Sequence, residues 1–452
     1  MQLQVAVIGS GPAGVYAAEA LALYGEDVAI DVLDELPAPF GLVRYAVAPD
    51  HPRTQSIATA LASVLALPAV RFLGNVRVGT DVTLEELRDH YDAVVIATGA
   101  ATDRRLGIPG EDLPGSVSAT EFVAWYCGHP DTAVDQFRLD ARSVAVIGAG
   151  NVAGDVARML ARSPAELRST DAPDHVLETF AASLVEDVHL IARRGPAQTR
   201  FTTRELRELG NLELADVVVD PADLTLGTAG DPDVQLSPAA RRNVEILQTW
   251  ADRPSSGKPR RVHLRFFWRP VELIGDEAVT GIRIERTRLD GDGALHGTAE
   301  VLDLPVQLVV RAVGYRSLPL PGLPFDESAG VVPHDAGRVR RDGVPVPGIY
   351  VAGWAKRGPT GVIGTNKHDA RETIRSLLAD VPSLARAPVR DPAALPRLLR
   401  ERGVDVVSWD GWSSIDRAEL DHGRRQGRSR AKISDRQQLL RIAAGLDQAP
   451  RA

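Results

Sequence analysis

Two glycine-rich turns in this sequence have the spacing of phosphate cradles, and the charged residues that follow them differ. The first is Gly9-Ser10-Gly11-Pro12-Ala13-Gly14. Gly9 permits a tight turn, Gly11 leaves no side chain between backbone and pyrophosphate, and Gly14 lets a helix lie close to a strand. The helix that starts there points unpaired N–H groups and a positive dipole end at the phosphates. Asp34 stands twenty residues beyond Gly14, the distance at which a carboxylate reaches ribose hydroxyls. Asp31 and Glu35 are its competitors, and Asp31 falls inside a predicted strand.

The second turn is Gly148-Ala149-Gly150-Asn151-Val152-Ala153, with alanine in the third place. No acid follows its partner strand; Arg193 and Arg194 stand there instead. A carboxylate at that point would repel a 2′-phosphate, whereas two guanidinium groups would pair with it. The first site therefore suits the adenosine of FAD and the second suits NADPH. One chain holding both is built for hydride transfer from nicotinamide to flavin. The plainer alternatives are a glycine turn without ligand and a pair of solvated arginines.

The elements needed to position these turns are visible. Leu3 to Ile8 and Val28 to Leu33 are short, apolar and valine-rich, as buried strands are, and Val15 to Tyr24 between them reads as a helix. Ser143 to Ile147, Gly154 to Ala161 and Val188 to Ala192 repeat that strand–helix–strand order. Val70 to Val78, Ala93 to Ala97, Val306 to Val313 and Ile349 to Ala352 are further strand candidates. Val262 to Phe267 and Gly281 to Thr287 read as antiparallel strands. Residues 220–260 look loop-like apart from a helix near Pro238 to Trp250, and the tail from Arg424 is basic and polar.

Composition narrows the chemistry. A chain of 452 residues is long enough for two or three domains. Its net charge of -8 argues against a general nucleic-acid binder. The single cysteine, Cys127, excludes a redox dithiol, a four-cysteine cluster or a cysteine-rich zinc site, and no metal site is expected. No apolar run is long enough for a membrane span, and no signal-peptide pattern opens the sequence, so a cytoplasmic address is expected.

The run from Pro39 to Pro52, Pro-Phe-Gly-Leu-Val-Arg-Tyr-Ala-Val-Ala-Pro-Asp-His-Pro, resembles the adrenodoxin-reductase family of NADPH:ferredoxin reductases. Gly148 to Asp155, Arg193 to Pro196, Phe201 to Leu206, Gly353 to Asn366 and Trp409 to Trp412 are similar to family segments as well. The resemblance implies an α/β fold of two Rossmann-like domains, three-layered and glutathione-reductase-like. The NADP domain (103–315) would be inserted in a discontinuous FAD domain (1–102 and 316–452). It implies that FAD meets Ala13, Asp34, Leu42 and Val78, with Trp354 near the isoalloxazine and the backbone of Gly361, Val362 and Ile363 at its pyrimidine end. It implies that NADPH meets Gly150, Asn151, Val152, Arg193, Arg194 and Glu205. Many two-dinucleotide flavoproteins have Gly-Asp where this chain has Gly353-Trp354, which favours this family over the disulfide reductases.

His51 and Asp155 match family positions near the reacting nucleotides, where they would orient cofactors and water; Glu208, one turn beyond Glu205, is a further candidate. His51 and Asp155 also have structural alternatives: a satisfied histidine ahead of Pro52 and a helix N-terminal anion. Ferredoxins are acidic, so Arg204, Arg207, Arg241 and Arg242 are candidates for a docking face, against the alternative of solvated helix faces. The implied activity is hydride uptake from NADPH and one-electron delivery to a ferredoxin, with a cytochrome P450 chain as one outlet. A reductase component of an amidotransferase-type complex, a flavin monooxygenase or oxidase, and a non-catalytic redox sensor are the competing functions.

Overall fold

The computed structural model describes residues 2–25, 27–225 and 236–446. The chain divides into two compact units. One comprises Met1–Thr102, Cys127–Asp131 and Tyr315–Ala452, the other Asp103–Tyr126 and Thr132–Gly314.

In the first unit, Val70–Leu73, Val28–Leu33, Leu3–Ile8, Ala93–Ile96 and Val344–Val351 lie side by side in that order, all parallel. Arg338–Arg341 and His334–Asp335 extend the sheet antiparallel at its edge. All six residues of Leu3–Ile8 are buried, because a parallel sheet covered on both faces needs apolar side chains on both. Leu3, Val5 and Val7 face the helices Pro12–Ala22 and Thr365–Asp380 in one core; Ala6 and Ile8 face Leu84–His90 and Ala394–Glu401 in the other. Each of the leucine, valine and isoleucine side chains among these contributes roughly 1.5–3 kcal/mol relative to exposure.

The second unit has a six-stranded parallel sheet. Its order is Ser116–Ser118, Leu308–Arg311, Ser143–Ile147, Asp187–Ala192, Arg260–Phe266 and Ala215–Val219. An antiparallel meander of Trp268–Ile274, Gly281–Leu289 and Leu295–Leu304 packs Trp268, Ile282, Ile284 and Leu304 onto Ala145, Ile147 and Ile191 of one face. The helix Asn151–Ala161 buries Val156, Met159 and Leu160.

Several boundaries differ from the sequence expectation. Residues 262–267 do not form an antiparallel strand: Arg260–Phe266 is parallel to both its neighbours. Its alternation of buried and half-exposed residues reflects a sheet face that is incompletely covered at this edge, which imitates an antiparallel pattern. Phe267, at φ 59°, then turns the chain into the meander. The strand expected to run from Val70 to Val78 ends at Leu73, before Gly74 and the positive-φ residue Asn75. Within the loop-like stretch 220–260 the expected helix is present as Pro238–Ala251, Pro221–Thr225 is a further short helix, and 226–235 lies outside the described residues. Among the described residues no helix is long and apolar enough to cross a membrane.

Candidate functional site

The first glycine turn joins Leu3–Ile8 to the helix Pro12–Ala22. Gly9 has φ 105°, and a Cβ built on it would lie 2.4 Å from the Ala97 carbonyl oxygen. A Cβ on Gly14 would lie 1.8 Å from the Gly9 carbonyl oxygen, so helix and strand touch there. A Cβ on Gly11 would meet nothing within 4 Å. The middle glycine thus faces open space at the N-terminus of a helix, as a pyrophosphate requires.

Asp34 follows the second strand and is 8% exposed. Its Oδ2 accepts from Ser10 N (2.7 Å) and Ser10 Oγ (2.5 Å), and its Oδ1 accepts from Leu36 N (2.9 Å). Burial raises its pKa against these lowering hydrogen bonds. With four lone-pair sites on a carboxylate, one acceptor position is left for a ligand hydroxyl. Asp34, Glu35, Gly9, Val78, Thr98 and Gly99 help line a cavity of ≈ 180 Å³. The competing acids have other partners: Asp31 is held away from this cavity by Arg71 and Tyr91, and Glu35 pairs with Arg77 at 3.1 Å on the cavity wall.

The segment from Phe40 closes on this turn. Phe40 N donates to Ser10 O, and a Cβ on Gly41 would lie 3.1 Å from Gly11 Cα. Leu42 opens the short helix Leu42–Tyr45. From the other end of the chain, Gly353 packs so closely that a Cβ would lie 2.5 Å from the Ala13 Cβ. Trp354 follows, with its Nε1 donating to Thr360 O at 3.2 Å. In place of an acid after Gly353, Asp369 accepts from Gly353 N and pairs with Lys356 (3.1 Å) and Arg357 (3.2 Å). Gly361, Val362 and Ile363 lead into the helix Thr365–Asp380; Val362 is 68% exposed and its N–H donates to Thr365 Oγ1. His51 is buried in this unit, at the start of the helix Pro52–Gln55, with its N–H on Ala48 O.

The second unit repeats the turn. Gly148 has φ 145°, and a Cβ on it would lie 2.4 Å from Ala312 O; a Cβ on Gly150 would meet nothing within 4 Å. Asn151 and Val152 open the helix, and Ala153 is buried against the turn. Arg193 and Arg194 end the Asp187–Ala192 strand, both exposed, with no ion pair to either among the described residues. Their backbones are fixed: Arg193 O accepts from Thr287 Oγ1 (2.7 Å) and Arg194 O from Phe267 N (3.3 Å). Immobile backbones carrying free guanidinium groups are what recognition of a phosphate needs.

Beside this turn, Asp155, Glu205 and Glu208 come together around one cation. Arg158 Nη1 lies 2.8, 3.4 and 3.9 Å from their carboxylates. Sequence reasoning missed Arg158, although it stands one turn after Asp155 on the same helix, and it missed Ser10 and Asp369. Of the candidate docking arginines, Arg204 is paired with Glu208 at 3.1 Å, as helix residues four apart often are. Arg207, Arg241 and Arg242 are exposed.

Two phosphate-type turns on two parallel sheets define a pyridine-nucleotide oxidoreductase. The profile of the pyridine nucleotide-disulphide oxidoreductase family matches residues 3–214. The chain is 42% identical to NADPH-ferredoxin reductase FprA of Mycobacterium tuberculosis, over 98% of this chain and 99% of that one. It is 40% identical to the mitochondrial NADPH:adrenodoxin oxidoreductase of Arabidopsis thaliana, covering 98% and 95%. The solved structure of Mycobacterium tuberculosis FprA in complex with NADPH superposes with a TM-score of 0.93 over 98% of this chain and 100% of that one, at 42% identity. The chain belongs to the adrenodoxin reductase/FprA-type NADPH–ferredoxin reductase family.

Proposed function

We propose that this protein is an NADPH–ferredoxin reductase with FAD in the unit that carries Gly9 and NADPH in the unit that carries Gly148. One observation carries the assignment: both turns are open at the middle glycine, yet a buried acid follows the first and two unpaired arginines follow the second. FAD, when bound, supplies the conversion between a two-electron hydride donor and a one-electron iron–sulfur acceptor.

The chain's own task is positioning. Gly11 and the helix behind it receive the pyrophosphate of FAD, and Asp34 accepts from the adenosine ribose. Leu42, Val78 and Trp354 would shape the flavin's surroundings, and the backbone of Gly361, Val362 and Ile363, which leads into the helix Thr365–Asp380, would face its pyrimidine end. Gly150, Asn151 and Val152 receive the pyrophosphate of NADPH, and Arg193 and Arg194 bind its 2′-phosphate. His51, Asp155, Glu205 and Glu208 orient the reacting ends and ordered water. Arg207, Arg241 and Arg242 offer positive charge to an acidic ferredoxin.

The test is a visible spectrum of the purified protein followed by NADPH titration with and without a ferredoxin. A yellow protein bleached by NADPH, whose electrons reach the ferredoxin over many turnovers, is the expected result. A colourless protein that FAD cannot reconstitute overturns the assignment. Flavin that is reduced but passes electrons slowly to every acceptor would make it a sensor.

A further inference from the structure

Arg158 has no accessible surface, and yet it is the centre of the densest cluster of carboxylates beside the second glycine turn. It lies two turns into the helix Asn151–Ala161, whose first residues form that turn. The helix Thr203–Leu209 carries Glu205 and Glu208. Three features join the two helices. Asn151 Oδ1 accepts from Thr202 N at 3.0 Å. Gly154 leaves room for the Phe201 ring, which a Cβ would approach to 3.3 Å. One level further on, Arg158 donates to Glu205 Oε2 at 3.4 Å.

A buried guanidinium is expensive unless its surroundings neutralise it. Here the neutralising groups include Glu205, which the proposed function places at the nicotinamide nucleotide. The dependence runs both ways: carboxylates crowded together repel one another, and the guanidinium between them offsets that repulsion and fixes their positions. We propose that Arg158 is a positioning residue of the NADPH site, acting through Glu205 to hold that carboxylate in place for the incoming nucleotide. This rests on the proposed function. It adds to that function a residue that has no accessible surface of its own.

The test compares Arg158→Lys with Arg158→Met in the full-length holoprotein, each with and without Glu205→Gln. Lysine keeps the charge but is a compact point donor that cannot span several carboxylates as a guanidinium does. Arg158→Lys should keep its melting temperature and flavin content while its dissociation constant for NADP+ rises roughly tenfold, a change of one decade in affinity. On the Glu205→Gln background the same substitution should cost little more, because the residue it acts through is already neutral. Arg158→Met should lower both melting temperature and NADP+ affinity; if it fails to fold, the lysine arm still decides. Unchanged NADP+ affinity in Arg158→Lys, or an equal loss on both backgrounds, overturns the proposal and leaves Arg158 a structural ion. A parent protein that does not bind NADP+ would instead overturn the proposed function.

Discussion

Arg44 and Glu419, 375 positions apart, meet as a buried two-point ion pair, with Nη2 to Oε1 at 2.5 Å and Nη1 to Oε2 at 3.1 Å. Arg44 belongs to the run that closes on the first glycine turn, and Glu419 to the helix Trp409–Arg425. Arg430 reaches the same carboxylate at 2.8 Å, Ile433 N donates to it at 2.9 Å, and Lys432 Nζ donates to Arg44 O at 2.8 Å. The Arg44 guanidinium also lies 5.2 Å from the Trp412 ring. Part of the basic C-terminal segment is therefore not a solvated tail; it clamps the loop proposed to hold the flavin.

Glu419→Gln should cost about 3–5 kcal/mol, the penalty for leaving a buried guanidinium without its partner, and should loosen FAD. Replacing both Arg44 and Glu419 by methionine should not recover that cost, because Arg430 and Ile433 N–H also lose the Glu419 carboxylate. Burial pushes the Glu419 carboxyl up, but Arg44 and Arg430 outweigh it and hold it below the usual glutamate range. A depressed folded pKa gives stability that is present above the unfolded value of about 4.3 and is lost as pH falls through the folded one. Thermal melts and flavin content from neutral pH to about pH 3 check both points. A Glu419→Gln protein that melts with the parent at pH 7 would show the clamp to be unimportant.

The two glycine turns predict opposite phenotypes for identical substitutions. Gly14→Ala places a methyl 1.8 Å from a carbonyl oxygen and should prevent proper folding of the first unit. Gly11→Ala meets no protein atom within 4 Å, so it should fold normally and lose flavin affinity, because that space belongs to the pyrophosphate. Gly150→Ala should keep its flavin and raise the KM for NADPH. Yields, melts and absorbance at the flavin band separate these outcomes. A fully flavinated Gly11→Ala protein contradicts the assigned phosphate position.

Nucleotide choice should lie in Arg193 and Arg194. Each charge-assisted hydrogen bond to a 2′-phosphate is worth roughly 1.5–3 kcal/mol. Replacing both with uncharged residues should raise the KM for NADPH strongly and that for NADH little. Equal rises for both nucleotides mean that the arginines do not read the phosphate.

Ferredoxin docking should depend on Arg241 and Arg242, exposed neighbours on the helix Pro238–Ala251. Screening shortens charge steering to about 8 Å at physiological salt. Ferredoxin turnover should therefore fall as salt rises further, while turnover with small neutral acceptors changes little. Arg241→Ala with Arg242→Ala should raise the ferredoxin KM and leave flavin reduction by NADPH intact. Unchanged ferredoxin KM and salt dependence would place the docking face elsewhere.

What depends on short-range pattern was legible in the residues alone. The strand Ser143–Ile147 was bounded to the residue, since a parallel strand covered on both faces reads as an apolar run, here Val144 to Ile147. The glycine spacings and the charges after the partner strands pointed to two nucleotides, because turn geometry and phosphate chemistry act within one strand–helix–strand unit. Parallel and antiparallel pairing of Arg260–Phe266 was not legible: it depends on which strands arrive alongside and how much of the face they cover, and alternation alone does not encode either.

Long-range pairing was decided only by the tertiary structure. Composition presents Arg44, Arg158, Glu419 and Lys432 as ordinary surface charges; the first three are buried against an ion partner far along the chain or on a neighbouring helix, and Lys432 is buried donating to the Arg44 carbonyl. The same applies to the choice among Asp31, Asp34 and Glu35. Position in sequence left three carboxylates; the fold commits Asp31 to Arg71 and pairs the half-exposed Glu35 with Arg77, while Asp34 is buried at the cavity and bonded to Ser10 of the glycine turn. Local sequence sets which backbone shapes and charges are available, whereas the energy of a buried charge depends on groups that only folding brings within a few ångströms.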